Sequence, residues 1–492
     1  MAVSLPSQTP GPRESQGDER PIYLAGEWTR TSEPVVVATA GEPDRPLATT
    51  FHAGSEEVER AIAAAVAAEE PLAALAAYER GDALRHVAAG IVARRVELAE
   101  QLAAEAGKPV RDAQVEIDRG ALVFRTAAEE AERMYGELLP LDVNPAARGR
   151  VGLVRRVPLG AISAISPFNL PLGLAAHKVA PALAVGCPVV LKPPSNTPLT
   201  MLSIAALVDE TGLPAGSLSV LPMTREVGDA LVTDDRFKLL TFTGSPEVGW
   251  SMKARSGKKR VVLELGANSA AIVDETADVE RAAERCAYGA FKNAGQICIS
   301  VQRILVHDRV WDRFLAAFEE RVRGLRVGSA LEQETDVGPM IHEREADRIE
   351  AWIDEALAAG ATAIVRGERD RAYLAPTVLV DVPADATVSC QEAFGPVAVV
   401  SRFSDFDDAL DIVNDSRFGL QAGVFTNDLQ HAWRAFDRLH VGAVLVNDAP
   451  TWRVDTMPFG GVKDSGFGRE GIRFAMEDMT ELRTLVLATE RT

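Results

Sequence analysis

Cys298 sits in Phe291-Lys-Asn-Ala-Gly-Gln-Ile-Cys-Ile-Ser300, a glycine-containing loop that precedes the Val/Ile-rich run from Val301 to Val306. A strained loop ahead of a strand exposes a thiol that a helix would bury. Glu264 lies 34 residues earlier in Val261-Val-Leu-Glu-Leu-Gly266, where a strand-like run again breaks at glycine. A thiol and a carboxylate, each presented at a strand–loop junction, are the parts needed for covalent catalysis followed by hydrolysis. A lone cysteine in such a chain is more often an inert, buried small residue. The pairing with Glu264, not the sulfur alone, therefore carries the reading.

The elements that must hold these residues are legible as a change of pattern near residue 151. Before it, residues 55–106 and 112–135 are rich in Ala, Glu and Arg with apolar residues at helical spacing, which predicts long surface helices. After it, short apolar runs (161–165, 188–191, 217–221, 239–242) alternate with helical segments (174–185, 199–211, 227–232). That alternation predicts βαβ units around a parallel sheet. A second alternating series runs from Val261 to Val446, with helices expected at 279–293, 310–322, 343–359 and 406–415. Leu138–Pro158 alternates polar and apolar residues around Asn144-Pro145 and Gly149, as a hairpin does, and the chain closes on an apolar strand, 484–488.

A chain of 492 residues is too long for one core, so two or three domains are expected. With 47% apolar and 25% charged residues the composition is that of an ordinary soluble protein. A net charge of −19 disfavours nucleic acid and anionic membrane surfaces as partners. Cys187, Cys286, Cys298 and Cys390 are scattered without a CxxC pair, and the seven histidines show neither HxxxH nor HExxH spacing. Neither a disulfide framework nor a metal site is expected, and reduced thiols suit a cytoplasmic setting. Residues 1–20 are polar and lack the apolar core of a signal peptide, so a flexible tail is expected there. The longest apolar stretch, Ala161 to Leu191, is broken by Pro167, Asn169, Pro171, His177, Lys178 and Pro181, which argues against a membrane span.

Several separated motifs, in order, resemble the aldehyde dehydrogenase superfamily along nearly the whole chain from about residue 20. They are Ser166-Pro-Phe-Asn-Leu-Pro171, Leu191-Lys-Pro-Pro194, Phe242-Thr-Gly-Ser245, Leu263-Glu-Leu-Gly266, Gly295-Gln-Ile-Cys298, Glu392-Ala-Phe-Gly-Pro396 and Pro458-Phe-Gly-Gly-Val-Lys463. The resemblance implies an α/β fold: a Rossmann-like NAD(P)-binding domain (21–137 and 159–262), an α/β catalytic domain (263–471) and a small β oligomerisation flap (138–158 and 472–492). It also implies a homodimer or homotetramer. The activity implied is NAD(P)-dependent oxidation of an aldehyde to its carboxylic acid. Cys298 would form a thiohemiacetal and then a thioester, Asn169 and the Cys298 N–H would hold the oxyanion, and Glu264 would activate water. Glu470 matches a position associated with proton passage, and Lys178, on the helix after Asn169, is either structural or a further member of that relay.

The same likeness gathers Ile165, Ser166, Pro167, Phe168, Phe242, Gly244, Leu265 and Gly266 around the dinucleotide. Ser245 and Gly228 would lie by the pyrophosphate, Glu392 by the nicotinamide ribose and Phe394 beside the nicotinamide. Lys192 ends an apolar strand, where ligands bind in open α/β sheets. Three residues later, where NAD-preferring relatives carry Glu, stands Ser195. Serine can donate to a 2′-phosphate that a carboxylate would repel, and Arg225 adds a cation nearby, so NADP is expected as well as NAD. The segment Trp452-Arg-Val-Asp-Thr-Met-Pro458 looks like the lactaldehyde and phosphonoacetaldehyde dehydrogenase branch. Yet Leu170 and Ile297 replace the His and Arg of phosphonate-binding members. With Leu174, Ile299, Trp452 and Phe459 they predict an apolar pocket for an aliphatic or aromatic aldehyde, with Arg453 and Arg119 as candidates for a distal carboxylate. The alternatives left open are a CoA-acylating enzyme, against which Glu264 speaks, and an inactive structural relative.

Overall fold

The structure is a computed structural model and describes residues 18–488. Two parallel-cored sheets and a small antiparallel sheet organise it. In the first sheet, five strands run parallel in the spatial order Leu218–Val220, Val189–Lys192, Ile162–Ile165, Leu239–Thr243, Arg260–Glu264. Numbered along the chain, that order is 3-2-1-4-5, the doubly wound arrangement in which direction reverses between the first and fourth strands. Every residue of Ile162–Ile165 and Leu239–Thr243 is buried. Strands covered by helices on both faces bury both sets of side chains, which is why they read as unbroken apolar runs rather than alternation.

One face of this sheet is covered by helices Ala77–Ala93, Val110–Ala131, Gly173–Val185 and Leu199–Asp209, the other by Ser55–Ala74. Alanine-rich helices pack closely because little side chain separates their backbones, and Gly120 lies directly against Leu172. The second sheet orders Thr362–Val365, Thr377–Val380, Val397–Phe403, Arg303–His307, Ala270–Val273, Gln421–Phe425 and Ala443–Val446, all parallel except the first. The third sheet carries the predicted hairpin: Glu137–Pro140 pairs with Arg150–Pro158, and Thr480–Ala488 pairs along the other side of it.

Several elements fall where the sequence pattern was silent. Gly466–Phe467 joins the edge of the first sheet beside Arg260–Glu264. The helix Ile472–Asp478 buries Ile472, Ala475 and Met476 in the first core, so the extended flap strand begins at Thr480. Most of the expected tail lies outside the described residues. Its last residues, 18–20, are pinned by backbone bonds between Arg20 and Thr49 and between Thr49 and Asp18. Among the described residues no single helix is long and apolar enough to cross a membrane.

Candidate active site

Strand ends converge where the first sheet reverses direction. Glu264 is the last residue of its strand and pairs in register with Thr243 at the end of the neighbouring one. The loop after Ile162–Ile165 supplies Pro167, Phe168 and Asn169. All of these face a cavity of about 630 Å³ that is also lined by Gln296 and Cys298 from the second half of the chain. Thus the sulfur, the carboxylate and the amide singled out from sequence share one cavity, with Gly244, Ser245, Leu265, Gly266, Glu392, Phe394 and Leu174 on the same walls.

The loop before Cys298 is strained as its position suggested. Asn293, Ala294 and Gly295 all have left-handed backbones, with φ of 52°, 54° and 70°. For alanine that conformation is costly and persists only when the surroundings impose it. At Gly295 a side chain would run into the carbonyl of Gly395, so the loop can pack there only as glycine. The Asn169 amide donates to the Gln296 carbonyl at 2.9 Å, and the Asn293 amide donates back to the Asn169 carbonyl at 3.3 Å. These bonds tie the nucleophile loop to the first sheet. Cys298 is half-buried against Ala267, Ile299, Phe418 and Phe459. Burial, then the Glu392 carboxylate, push its thiol up to about 12.

Glu264 is buried, and neither of its oxygens has a hydrogen-bond partner among the described residues. Burial and the neighbouring charge of Glu470 raise its pKa well above the carboxylate range. A carboxylate held this way is a far stronger base than one in water. Behind it Lys178, fully buried, donates to Thr241 at 3.0 Å and to Glu470 at 2.8 Å. Burial alone would raise Glu470, but Lys178 and Arg453 hold it below its ordinary value. A two-way backbone bridge with Phe459 fixes Glu470 in place.

The walls suit a dinucleotide. Ser245 caps the helix Pro246–Arg255 without a side-chain bond, so the helix N-terminus is open to an anion on the cavity side. Ser166 Oγ and Thr243 Oγ1 are buried and unpartnered among the described residues. A methyl group at Gly266 would collide with the Glu392 carboxylate, and Ala267 N–H donates to that carboxylate at 3.0 Å. Burial holds the Glu392 pKa up at about 7. Phe394, itself left-handed at φ 50°, meets Phe168 edge-on at 5.9 Å between ring centres.

Not every predicted residue reaches this cavity. Lys192, Arg225 and Gly228 form a separate group beyond the end of the neighbouring strand, and Ser195 is exposed in the loop that follows Lys192. In that group the Lys192 stem packs near Gly228, and burial plus Arg225 bring its pKa down to about 8. Ile165 and Phe242 are packed into the core beneath the cavity. Ile297, Ile299 and Phe459 surround the Cys298 side, Leu170 starts the turn into Gly173–Val185, and Trp452 stays 44% exposed. Arg119 is engaged by Asp455 through both Nε and Nη2. Sequence reasoning missed His342, whose Nε2 lies 3.0 Å from Asn196 Nδ2, and Arg348, which stacks on Trp352 at 4.7 Å and donates to the Ala393 carbonyl. Both residues line the cavity, and no motif marks them.

Residues 28–485 match the sequence profile of the aldehyde dehydrogenase family. This chain belongs to that family. It is 43% identical over 467 residues to a 3-sulfolactaldehyde dehydrogenase of Priestia megaterium, covering 95% of this chain and 97% of the relative. Aldehyde dehydrogenase 21 from Physcomitrella patens, solved in complex with the reaction product succinate, superposes with a TM-score of 0.94 at 43% identity over 96% of this chain and 99% of that one. The NADP-dependent glyceraldehyde-3-phosphate dehydrogenase from Bacillus halodurans, solved with NADP, gives 0.93 at 36% identity over 96% of this chain and 100% of that one. The protein is therefore an oxidoreductase of the aldehyde dehydrogenase family.

Proposed function

We propose that this aldehyde dehydrogenase oxidises a small aldehyde bearing an anionic group, using Cys298 as nucleophile and Glu264 as the base for hydrolysis. The observation that carries the reading is the shared cavity of Cys298, Glu264 and Asn169, with the buried Arg453 side chain reaching Glu470, whose charge acts on Glu264. Arg453 stacks on Phe459 at 3.8 Å, and its Nε is buried without a partner among the described residues. Its charge acts on the Cys298 thiol in the direction opposite to burial and Glu392. A buried guanidinium with unused donors favours a carboxylate, sulfonate or phosphate over the apolar tail that Leu170 and Ile297 suggest. The relatives named for sulfolactaldehyde and solved with succinate, both anionic, point the same way.

In this mechanism Glu264 draws the proton from the Cys298 thiol, and the sulfur adds to the aldehyde carbon. The Asn169 amide and the Cys298 N–H hold the resulting oxyanion. Bound NAD or NADP supplies the hydride acceptor. Glu264 then deprotonates a water that attacks the thioester, and the Glu470–Lys178 pair behind it carries the proton away.

Around this site, residues 21–137 and 159–262 act as the NAD(P)-binding unit and 263–471 as the catalytic unit. The flap offers Leu482, Leu485, Val486 and Leu487, all exposed on an outer strand, to a second copy of the chain. All four cysteines are free thiols, which fits a cytoplasmic enzyme.

The test is a panel of anionic and neutral aldehydes with each dinucleotide, with and without CoA, followed by reduced-cofactor absorbance. Wild type should turn over steadily without CoA. Glu264→Gln should give a single burst of reduced cofactor and then arrest. Steady wild-type turnover by that variant removes Glu264 as the hydrolytic base, and turnover that requires CoA removes hydrolysis altogether.

A further inference from the structure

Arg453 has a long ion pair with Glu470 at 3.8 Å, and His177 Nε2 lies within 3.3 Å of both Arg453 and Asp455. Asp455, two residues along the same segment, is buried, and its carboxyl is held far below the usual range by His177 and Arg119 despite its burial. Its two oxygens accept from Arg119 Nη2 and Nε, the latter at 3.1 Å. Oδ1 also lies 3.0 Å from His177 Nε2. An ionised carboxylate at that distance requires the proton on Nε2, because a nitrogen lone pair facing it would be repelled.

Arg453 Nη2 lies 3.3 Å from the same Nε2. With Nε2 donating to Asp455, that contact sets two N–H groups against each other and is no hydrogen bond. His177 itself is 2% exposed, with Nδ1 unpartnered among the described residues. Arg453 also pairs with Glu470 Oε2 at 3.8 Å, an ion pair too long for a hydrogen bond. The guanidinium is thus held by one long ion pair, and its Nε has no partner among the described residues.

We propose that His177 is a positioning residue that occupies Asp455 and so withholds that counterion from Arg453, leaving the guanidinium with only its long ion pair to Glu470 and an unpartnered Nε for the anionic end of the substrate. The inference rests on the anionic-aldehyde reading above. The Arg119–Asp455–His177 chain sets specificity without touching the substrate: it spends one carboxylate on two donors so that a third donor remains unsatisfied. Replacing the imidazole with an apolar ring lets Arg453 close onto Asp455, and the enzyme then loses its advantage for charged aldehydes.

The experiment compares kcat/KM for succinic semialdehyde and butanal in the full-length enzyme. Wild type should prefer the acid by about 10–100-fold, the worth of one charge-assisted hydrogen bond. His177→Phe should lose most of that preference through a higher KM for the acid. His177→Gln, which can still donate to Asp455, should keep it, and adding Asp455→Asn to His177→Phe should restore it in part. His177→Leu replaces the Phe variant if the latter does not fold. A merely structural role would depress both aldehydes alike, so an unchanged ratio in the apolar variant overturns the proposal. A wild-type enzyme without preference, or an Arg453→Gln enzyme that keeps it, overturns the anionic-substrate reading instead.

Discussion

The Asn169 amide donates to the carbonyl of Gln296, two residues before Cys298, at 2.9 Å. One bond thus joins the loop after the first strand of one sheet to the nucleophile loop in front of the other. Asn169 has a second amide N–H for an oxyanion. Asn169→Ala should therefore lower kcat by about 100–1,000-fold, equivalent to ~2.7–4 kcal/mol. It should also change the rate at which iodoacetamide labels Cys298 in the free enzyme. Kinetics and mass spectrometry on the same preparation separate the two effects, and a kcat within threefold of wild type removes Asn169 from the oxyanion site.

The Cys298 thiol, raised to about 12 by burial and Glu392, has the proton affinity of a group that is almost wholly protonated at neutral pH. The free enzyme should be alkylated at Cys298 more slowly than a model thiol of pKa ~8.5 at pH 7. The rate should climb with pH without levelling off near 8.5. A plateau between pH 7 and 9 would show that another group sets the thiolate, and Glu392→Gln should move the profile toward lower pH.

Lys178 and Glu470 are a fully buried pair, and Lys178 also holds Thr241. Lys178→Met leaves Glu470 with only the longer contact to Arg453 and should destabilise the protein by about 3–5 kcal/mol. Lys178→Met combined with Glu470→Leu should recover part of that loss, since no unpaired charge then stays buried. Urea denaturation of the four proteins measures the cycle. Equal stability of wild type and Lys178→Met would mean that the pair contributes nothing.

Lys192, brought down to about 8 by burial and Arg225, carries its charge below that pH and loses it above. We expect the NADP dissociation constant to rise as pH passes through 8, with NAD less affected. Ser195→Glu should weaken NADP relative to NAD by about tenfold or more, since a carboxylate beside the 2′-phosphate repels it. Fluorescence titration with both dinucleotides reads both effects. An unchanged ratio in Ser195→Glu would place the 2′-phosphate elsewhere.

The class of fold was legible in the sequence for physical reasons, and Cys298 and Glu264 stood out by their placement, whereas Asn169 was marked only by the family resemblance. Strands covered on both faces must be continuously apolar, so 162–165 and 239–243 were readable. A thiol after a left-handed loop and a carboxylate at a strand end before glycine carry local backbone requirements that show in residue type. The helix Leu429–Arg438 places exposed Leu429, Trp433 and Phe436 at i, i+4 and i+7, an amphipathic pattern present in the sequence but not among the helices expected from it.

Only the tertiary structure decided what each charge does. Arg119 and Arg453 were equal candidates for a substrate anion, yet one is closed onto Asp455 and the other has only a long ion pair to Glu470 and an unpartnered Nε. Residues more than 50 positions apart meet at His177, Asp455 and Arg119, and no spacing rule connects them. The Asn196–His342 contact was equally silent. Electrostatics depends on which partner arrives first in three dimensions and on how much water is excluded, and a linear pattern records neither.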